Sequence, residues 1–457
     1  MKKHVKISFL GASGVVTGSK FLIETTEKSI LVDCGMFQGL KELRELNWEN
    51  LPIDVAAIDL VLLTHGHLDH VGYIPRLLQQ GFKGKIIGTK PTLIIAEIIL
   101  RDSAKIHEEE AEKANREKYT KHSPALPFFT IEEAEKSIDH FSSKEEGKWW
   151  ELSENINCRF QYNGHIIGST FIELEINGKR FVFSGDIGRQ NDYLLEAPKK
   201  PEWADFLFIE STYGNKNHPK EDIENLLINL VKEAIYNKGN IIIPSFAVER
   251  LQVLMFILWS LYKKNKIPNI PIFIDSPMGN NVIEVFKQFP KWHKLTNAEY
   301  NAMCRHVNII QSYGETWKTI DDPRSKIIIA GSGMVTGGRV LTYLQQLIDL
   351  PNTFVLLAGY QAEGTRGRQL QDGAHEIRFF GKYYPVNGTI ISIESLSAHA
   401  DQKDLLNWMN QIKNIPENIF LVHGETTALE VFKEKIKEEY NWNAFIPKLF
   451  DSVIVQV

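Results

Sequence analysis

The stretch His65–His70 reads HGHLDH and directly follows the apolar run DLVLLT at Asp59–Thr64. Three of the 14 histidines of the 457-residue chain lie in this stretch, far more than an even distribution would place there. Its glycine lets the chain bend at the end of a predicted strand, so several side chains aim at one point, where imidazole and carboxylate groups suit Zn²⁺. His65 and His67 are placed to hold one ion. Asp69 and His70, turned away by the start of the next helix, are placed to hold a second.

The composition is that of a folded chain, with 43% hydrophobic and 24% charged residues and a formal net charge of −5. It excludes a disordered tail or a fibre, and the length fits two or three domains. No apolar stretch approaches the roughly 20 residues that cross a bilayer, and the N-terminus lacks the apolar core of a secretory signal. We therefore expect a cytoplasmic protein with no membrane partner.

Charge and cysteine content limit the partners and metals that the chain can bind. The net negative charge argues against binding bulk nucleic acid over the whole surface, because such binding uses a basic stripe that displaces counterions. A polyanion would need a local positive cleft, which bound divalent metals can supply. Cys34, Cys158 and Cys304 share no C-x-x-C spacing, which excludes a disulfide framework and a cysteine-based zinc module. Any metal here must use nitrogen and oxygen ligands.

The order of predicted elements divides the chain into three parts. Short apolar runs separated by tight turns, typical of strands, fill the first 65 residues and the region that ends at Asp186. Past about Ser211 the pattern becomes strand, helix, strand, which predicts a parallel sheet covered by helices. We place an inserted α/β unit at 208–386, between a first part at 1–207 and a completing part at 387–457.

Further motifs accompany the histidine stretch. LVDCG contains Asp33, NGHIIGS contains His165 and FSGDIG contains Asp186. With these motifs the chain resembles the metallo-β-lactamase fold, an αββα sandwich of hydrolases with metals at its strand ends. The resemblance implies two zinc ions per chain, held by His65, His67, Asp69, His70, His165, Asp186 and one further histidine. By the same likeness Asp186 bridges both ions, and Asp33 orients a ligand or the water at the site.

Motifs in the second half of the chain narrow the branch of that fold. IESTYGN contains Glu210, SLSAHAD contains His399 and FLVHGE contains His423. These stretches resemble motifs A, B and C of the β-CASP group, the nucleic-acid-processing branch in which an α/β β-CASP domain with a parallel sheet is inserted into the sandwich. By this likeness His423 supplies the further zinc ligand.

The resemblance covers essentially the whole chain. The closing segment is similar to the RNA-specificity region of mRNA 3′-end-processing endonucleases, such as the nuclease subunit of the cleavage and polyadenylation specificity factor, and of their prokaryotic relatives. In this group a histidine at motif C goes with RNA substrates, whereas DNA-repair members carry an apolar residue there. His423 therefore favours single-stranded RNA as the partner. Homodimers are common among the relatives, which leaves a homodimer open.

The chemistry of phosphodiester hydrolysis agrees with this resemblance. The reaction needs a strong nucleophile, neutralisation of the charge that develops on phosphorus, and help for the leaving oxygen, and two metals meet the first two needs. His399, if paired with the carboxylate of Glu210, stays protonated and can donate to the leaving 3′-oxygen. We therefore expect a zinc-dependent ribonuclease, acting internally or from the 5′ end, that leaves a 5′-phosphate and a 3′-hydroxyl.

A glycine-rich turn is a candidate for substrate binding. AGSGMVTGGR lies between a predicted strand and a predicted helix, so the backbone amides of Ser332, Gly333 and Met334 could receive a phosphate at a helix N-terminus. The turn is not a P-loop, because no G-K-[ST] follows, and it is also compatible with a mere loop. In PSFAVER, Glu249 stands where members of the resembled group usually have glycine, which could alter selectivity.

Three alternatives remain open at this point. A catalytically silent RNA-processing scaffold of the same fold is disfavoured, because such members typically lose zinc ligands and this chain retains every ligand identified above. A small-molecule metallo-hydrolase predicts lactone or thioester turnover without RNA cleavage. A DNA-processing enzyme would be exposed by side-by-side cleavage of matched RNA and DNA.

Overall fold

A computed structural model describes residues 3–118, 122–359, 361 and 363–457. The chain forms two compact units. The first contains Met1–Asn191, Ala197–Asn217 and His399–Val457, and the second contains Asp192–Glu196 and His218–Ala398. The domain limits predicted from the sequence, at 207/208 and 386/387, stay a prediction.

The first unit is built on two sheets of alternating apolar strands. One sheet contains, in spatial order, Ser452–Gln456, His4–Phe9, Phe21–Glu24, Ser29–Val32, Leu60–Leu62, Lys85–Gly88 and Phe141–Ser143. The other contains, in spatial order, Ala444–Phe445, Asn418–Val422, Phe206–Glu210, Lys179–Phe183, Thr170–Ile176, Ile156–Tyr162 and Trp149–Ser153. Ser29–Val32 runs parallel to Leu60–Leu62. Phe206–Glu210 runs parallel to both Lys179–Phe183 and Asn418–Val422.

Phenylalanine side chains join the two sheets face to face. Phe9 and Phe21 from one sheet meet Phe208 from the other, with ring centroids about 6 Å apart in each pair. Phe183 and Phe208 stack with centroids 4.2 Å apart. Burial of each such ring contributes roughly 1.5–3 kcal/mol. The interior between the sheets is therefore apolar and buried, and the loops at the strand ends extend from this packed core.

Helices cover the outer faces of both sheets and complete the predicted αββα sandwich. The helices of this unit are Lys41–Leu46, Leu68–Val71, Ile74–Gln79, Lys90–Glu117, Ile131–Ile138, Gln402–Met409 and Thr426–Tyr440, with a 3₁₀ turn at Val55–Ala57. Trp408 and Phe432, from the last two helices, are buried in one apolar cluster with Leu207 and Leu421 of the second sheet. Within the described part of the chain, no helix combines the length and the apolar character needed to span a membrane.

The second unit contains the parallel sheet expected from the strand–helix–strand pattern. Its strands are, in spatial order, Asn308–Ile309, Ile272–Asp275, Lys326–Ala330, Asn240–Pro244, Thr353–Ala358 and Thr389–Ile393, and all their pairings are parallel. Its helices are Ile223–Tyr236, Arg250–Lys263, Pro277–Gln288, Asn297–Arg305, Tyr313–Asp321, Val340–Leu347 and Arg366–Gln371, with a 3₁₀ turn at Pro290–Trp292. A hairpin of Glu376–Phe379 and Lys382–Pro385 is also present. The isoleucine-rich strands are buried on both faces, as in other parallel sheets.

Candidate metal centre

Strand ends of the first unit bring the predicted site residues together. Neighbouring parallel strands end on the same side of a sheet, so the residues that follow them converge. His165 lies in the turn before the strand Thr170–Ile176, and His399 forms an isolated β-bridge with Gly188. The other predicted site residues lie at or just beyond strand ends: Asp33, His65, His67, Asp69, His70, Asp186, Glu210 and His423. All of them belong to the first unit.

Four ligand atoms surround one point in the first group of side chains. His67 Nδ1 lies 3.2 Å from His65 Nε2 and 3.2 Å from His165 Nε2. Asp186 Oδ2 lies 3.5 Å from Nε2 of both His65 and His165. A tetrahedral zinc ion with bonds of about 2.0–2.1 Å separates its ligand atoms by about 3.3–3.4 Å. The four atoms therefore have the spacing of a tetrahedral metal site.

Hydrogen bonds determine which nitrogen of His65 can bind a cation. Thr64 Oγ1 donates to Asp33 Oδ2 at 2.8 Å, so at 3.1 Å it accepts from His65 Nδ1 and leaves Nε2 with its lone pair. Burial, reinforced by His70, lowers the pKa of His65 well below its usual value. Burial also lowers the pKa of His67 to about 4. Both imidazoles are therefore neutral at pH 7, the form that binds a metal.

A second group of ligand atoms shares Asp186 with the first. Asp186 Oδ1 lies 3.3 Å from His70 Nε2 and 3.4 Å from His423 Nδ1. Asp69 Oδ2 lies 3.4 Å from His423 Nε2 and 3.9 Å from His70 Nε2. The two oxygens of Asp186 thus face different groups, which is the arrangement expected of a carboxylate that bridges two ions.

Two buried atoms of this second group, His70 Nε2 and Asp186 Oδ1, face each other at a position for a proton or a metal ion. Within the described residues, and with the His70 ring neutral, neither atom has a hydrogen-bond donor facing it. Asp33 Oδ2 accepts from His70 Nδ1 at 2.8 Å, so the Nε2 lone pair faces the Asp186 carboxylate. Burial opposes a charge on His70, but Asp186 and Asp33 outweigh it and hold the pKa of His70 well above its usual value. Either a proton or a metal ion satisfies this position, and the nitrogen and oxygen donors fit zinc.

Glu210 and His399 form a pair beside these groups. Glu210 is fully buried, and its Oε1 accepts from the Ile187 amide at 2.6 Å and lies 3.3 Å from His399 Nδ1. Burial acts to lower the pKa of His399, but the Glu210 carboxylate outweighs it and raises that pKa to about 9. The other nitrogen of His399, Nε2, lies 4.0 Å from Asp186 Oδ2. The imidazole therefore connects a buried carboxylate to the centre of the site.

The backbone at two of these residues adopts a conformation that L-amino acids rarely use. Asp33 has a φ of 58° and His423 a φ of 49°. Such positions cost roughly 1–3 kcal/mol and persist where the surroundings hold them, often at functional sites. In the loop after Asp33, the backbone also passes close to Asp69: a Cβ added at Gly35 would lie 1.6 Å from the Asp69 carbonyl oxygen. Only glycine lets the loop after Asp33 pass so near a candidate ligand.

Comparison with protein families identifies this arrangement. Residues 14–245 match the model described as "Metallo-beta-lactamase superfamily", residues 251–370 match "Beta-Casp domain" and residues 383–447 match "Zn-dependent metallo-hydrolase RNA specificity domain". The chain belongs to the β-CASP branch of the metallo-β-lactamase superfamily. The predicted family and fold are thereby confirmed, and the chain is a metal-dependent hydrolase of the nuclease branch.

Individual proteins match this chain over nearly the full length of both partners. The protein named "RNase J-like protein" from Methanocaldococcus jannaschii is 33% identical over 451 residues, which cover 97% of this chain and 98% of the relative. "Ribonuclease TTHA0252" from Thermus thermophilus is 31% identical over 435 residues, 93% of this chain and 94% of the relative. A crystal structure of a protein of unknown function from Enterococcus faecalis V583 has a TM-score of 0.58 at 13% identity, covering 99% of this chain and all of that one, and supports the fold alone.

Sequence reasoning missed three polar residues that hold the candidate ligands of this β-CASP protein. Thr64 joins Asp33 and His65, as described above. Thr212 Oγ1 lies 3.2 Å from His423 Nδ1. The buried Asn163 donates from Nδ2 to the Asp186 carbonyl at 2.5 Å. Each lies within two residues of a predicted site residue, which is the one signal that the sequence offered.

The glycine-rich turn of the second unit differs in part from the expectation. The helix that follows begins at Val340, so Ser332, Gly333 and Met334 are not its N-terminal residues, contrary to the predicted geometry. The hydroxyl of Ser332 accepts from the Gly337 amide at 3.2 Å, and the Ser332 amide donates to the Gly337 carbonyl at 3.4 Å. The turn is thus closed by its own hydrogen bonds. A role of its amides in substrate binding stays a prediction.

The conformation of Glu249 is one that glycine adopts without strain. Glu249 has a φ of 69° and a ψ of −60°, and the Arg250 amide donates to the Val248 carbonyl at 2.9 Å. These values define a γ-turn with positive φ, which is strained for any residue with a Cβ. The Glu249 side chain is nevertheless buried. The chain therefore carries a strained, buried carboxylate in the loop before the helix Arg250–Lys263.

Proposed function

We propose that this chain is a zinc-dependent ribonuclease that hydrolyses RNA phosphodiester bonds at a two-metal centre and leaves 5′-phosphate and 3′-hydroxyl ends. The tetrahedral spacing of the donor atoms of His65, His67, His165 and Asp186 carries this proposal. The match to an RNA-specificity domain and the relatives named as ribonucleases support RNA as the substrate.

The chain's own residues divide the work of holding the two ions. His65, His67 and His165 are the proposed ligands of one, Asp69, His70 and His423 of the other, and Asp186 of both. When bound, two divalent ions supply a strong nucleophile at neutral pH and neutralise the charge that develops on the phosphate. The hydrogen bond from His70 to Asp33 fixes the tautomer that presents Nε2 to the site.

His399 is the proposed general acid. Because Glu210 accepts from Nδ1, the Nε2–H of the protonated ring points toward the centre and can donate its proton to the leaving 3′-oxygen. Glu210 does not need to touch the substrate in this scheme. It is a positioning residue that fixes the ring orientation and stabilises the charged imidazole.

Single-stranded RNA is the proposed substrate, and the turn containing Ser332, Gly333 and Met334 is the proposed contact to its backbone. Cleavage occurs internally, from the 5′ end, or in both modes. A cytoplasmic location and a homodimer stay predictions.

Cleavage of end-labelled single-stranded RNA tests the proposed function. We expect cleavage in the presence of zinc, loss of cleavage in His65→Ala and Asp186→Asn, and normal cleavage in the control His375→Ala, which replaces an exposed histidine. The products should be substrates for a 5′-phosphate-dependent exonuclease. Products of uniform single-nucleotide steps on RNA with an open 5′ end, absent when that end is blocked, would assign the exonuclease mode.

The same assay separates the alternatives. Equal cleavage of matched single-stranded DNA would indicate a DNA-processing enzyme. Turnover of lactones or thioesters without RNA cleavage would indicate a small-molecule hydrolase, and no turnover by a protein that holds two zinc ions would indicate a silent scaffold.

A further inference from the structure

A buried lysine lies close to the second group of candidate ligands. Lys20 precedes the strand Phe21–Glu24 of the first unit, and only 1% of its surface is exposed. Lysine is almost never fully buried unless its charge is compensated, because desolvating an ammonium group costs several kcal/mol. Neither the sequence motifs nor the proposed chemistry gives this residue a role.

Two carbonyls and two rings surround the ammonium group. Lys20 Nζ donates to the carbonyl of Gly35 at 2.6 Å and to that of Gly18 at 3.0 Å. It lies 4.4 Å from the ring centroid of Phe37 and 5.1 Å from that of Tyr73. Carbonyl oxygens and aromatic faces both attract a cation. The ammonium thus ties together two backbone segments, at residues 18 and 35, that are far apart in the sequence.

These two segments, residues 18–19 and 34–35, form a cradle for the backbone of Asp69 and His70: their amides hold the carbonyls of both residues. The Ser19 amide donates to the Asp69 carbonyl at 2.8 Å, and the Cys34 amide donates to the His70 carbonyl at 2.8 Å. The Gly35 amide donates to the Ser19 carbonyl at 2.9 Å and closes the cradle. None of these hydrogen bonds involves the backbone of His65, His67 or His165.

We propose that Lys20 is a positioning residue for the second metal site: by joining the carbonyls of Gly18 and Gly35 it holds the cradle in which Asp69 and His70 are placed. The inference rests on the proposed dinuclear centre. It assigns Lys20 to one of the two sites, because the cradle donates hydrogen bonds to the carbonyls of Asp69 and His70 and to none of those of His65, His67 and His165.

Zinc binding by Lys20→Met tests this assignment. Methionine fills a similar volume without the charge or the donors, so the carbonyls of Gly18 and Gly35 lose the hydrogen bonds that join them. We expect wild-type protein to hold two zinc ions per chain after dialysis, and Lys20→Met to keep one while its affinity for the second falls about 10- to 100-fold in chelator competition. Lys28→Met is the matched control, since Lys28 pairs at the surface with Asp59 at 3.1 Å, and it should bind zinc like the wild type.

The outcomes distinguish this inference from the proposed function. Unchanged affinity at both sites, or an equal loss at both, would overturn the role of Lys20 while leaving the dinuclear centre in place. Fewer than two zinc ions on the wild-type protein would contradict the dinuclear centre and this inference with it. If circular dichroism shows that Lys20→Met is unfolded, Lys20→Gln takes its place. Its amide is shorter and uncharged and cannot join the two carbonyls as the ammonium does, so the same selective loss at the second site is expected.

Discussion

His399 Nδ1 lies 3.3 Å from Glu210 Oε1, while Nε2 of the same ring lies 4.0 Å from Asp186 Oδ2. The ring is therefore held between a buried carboxylate and the candidate bridging ligand. This arrangement resembles the way in which a base and its orienting carboxylate are paired in hydrolases, with one nitrogen fixed and the other able to transfer a proton. We therefore expect different effects from replacing His399 and from replacing Glu210.

Replacing His399 should affect catalysis far more than metal binding. We expect His399→Ala to lower turnover of RNA by ~10² to 10⁴, as for the loss of a general acid, with zinc content unchanged. Single-turnover cleavage and metal analysis of the same preparation check this. If the variant loses a zinc ion, then His399 is a ligand, and its role and that of His423 have been exchanged.

Glu210→Gln keeps the shape of the buried side chain and removes its charge. Because Glu210 acts through His399, we expect kcat to fall by at least ~10² while KM for RNA stays near the wild-type value. Steady-state kinetics on a labelled RNA measure both constants. Full activity of Glu210→Ala would remove this residue from the scheme.

Thr64→Val removes one hydroxyl that joins Asp33 to His65. Thr64 is buried, and without its hydroxyl Asp33 loses a donor and His65 Nδ1 loses its acceptor. We expect zinc affinity to fall about 10- to 100-fold, as for other residues that orient metal ligands. Chelator competition measures the change, with Thr319→Val as control because Thr319 is a buried threonine of the second unit. Wild-type affinity in Thr64→Val would show that the hydroxyl does not orient these side chains.

Glu249→Gly should stabilise the second unit. The positive φ of 69° is strained for glutamate and free of strain for glycine, and the relief is worth about 1 kcal/mol or more. Glu249→Ala keeps the Cβ and removes the carboxylate, so it separates strain from charge. Urea unfolding should rank Glu249→Gly above Glu249→Ala in stability. The reverse order would mean that the turn imposes no strain on its central residue.

Local motifs predicted the parts of the site that lie within a few residues of one another. His65, His67, Asp69 and His70 follow one strand, so the spacing alone indicates that their side chains meet. Asp33, His165 and His423 are far apart in the sequence, and only the resemblance to a known fold placed them together. The geometry supports that placement because each follows or precedes a strand of the same sandwich.

Other parts of the site could not be read from the sequence. Thr64 and Lys20 belong to runs typical of strands, and nothing in those runs distinguishes a residue that orients ligands from one that merely packs. The glycine-rich turn was expected to open a helix directly, but its residues close on themselves through the Ser332 hydroxyl before the helix begins at Val340. The closure of this turn depends on hydrogen bonds between Ser332 and Gly337, which the order of residue types does not specify.

Titration of the metal-depleted protein with zinc, with the rate of RNA cleavage measured at each step, tests the two-metal centre most directly. If both groups of ligands must be filled for cleavage, the rate should rise until two equivalents of zinc per chain have been added and then stay constant. A rate that is already maximal at one equivalent, or that does not depend on zinc at all, would contradict a two-metal ribonuclease.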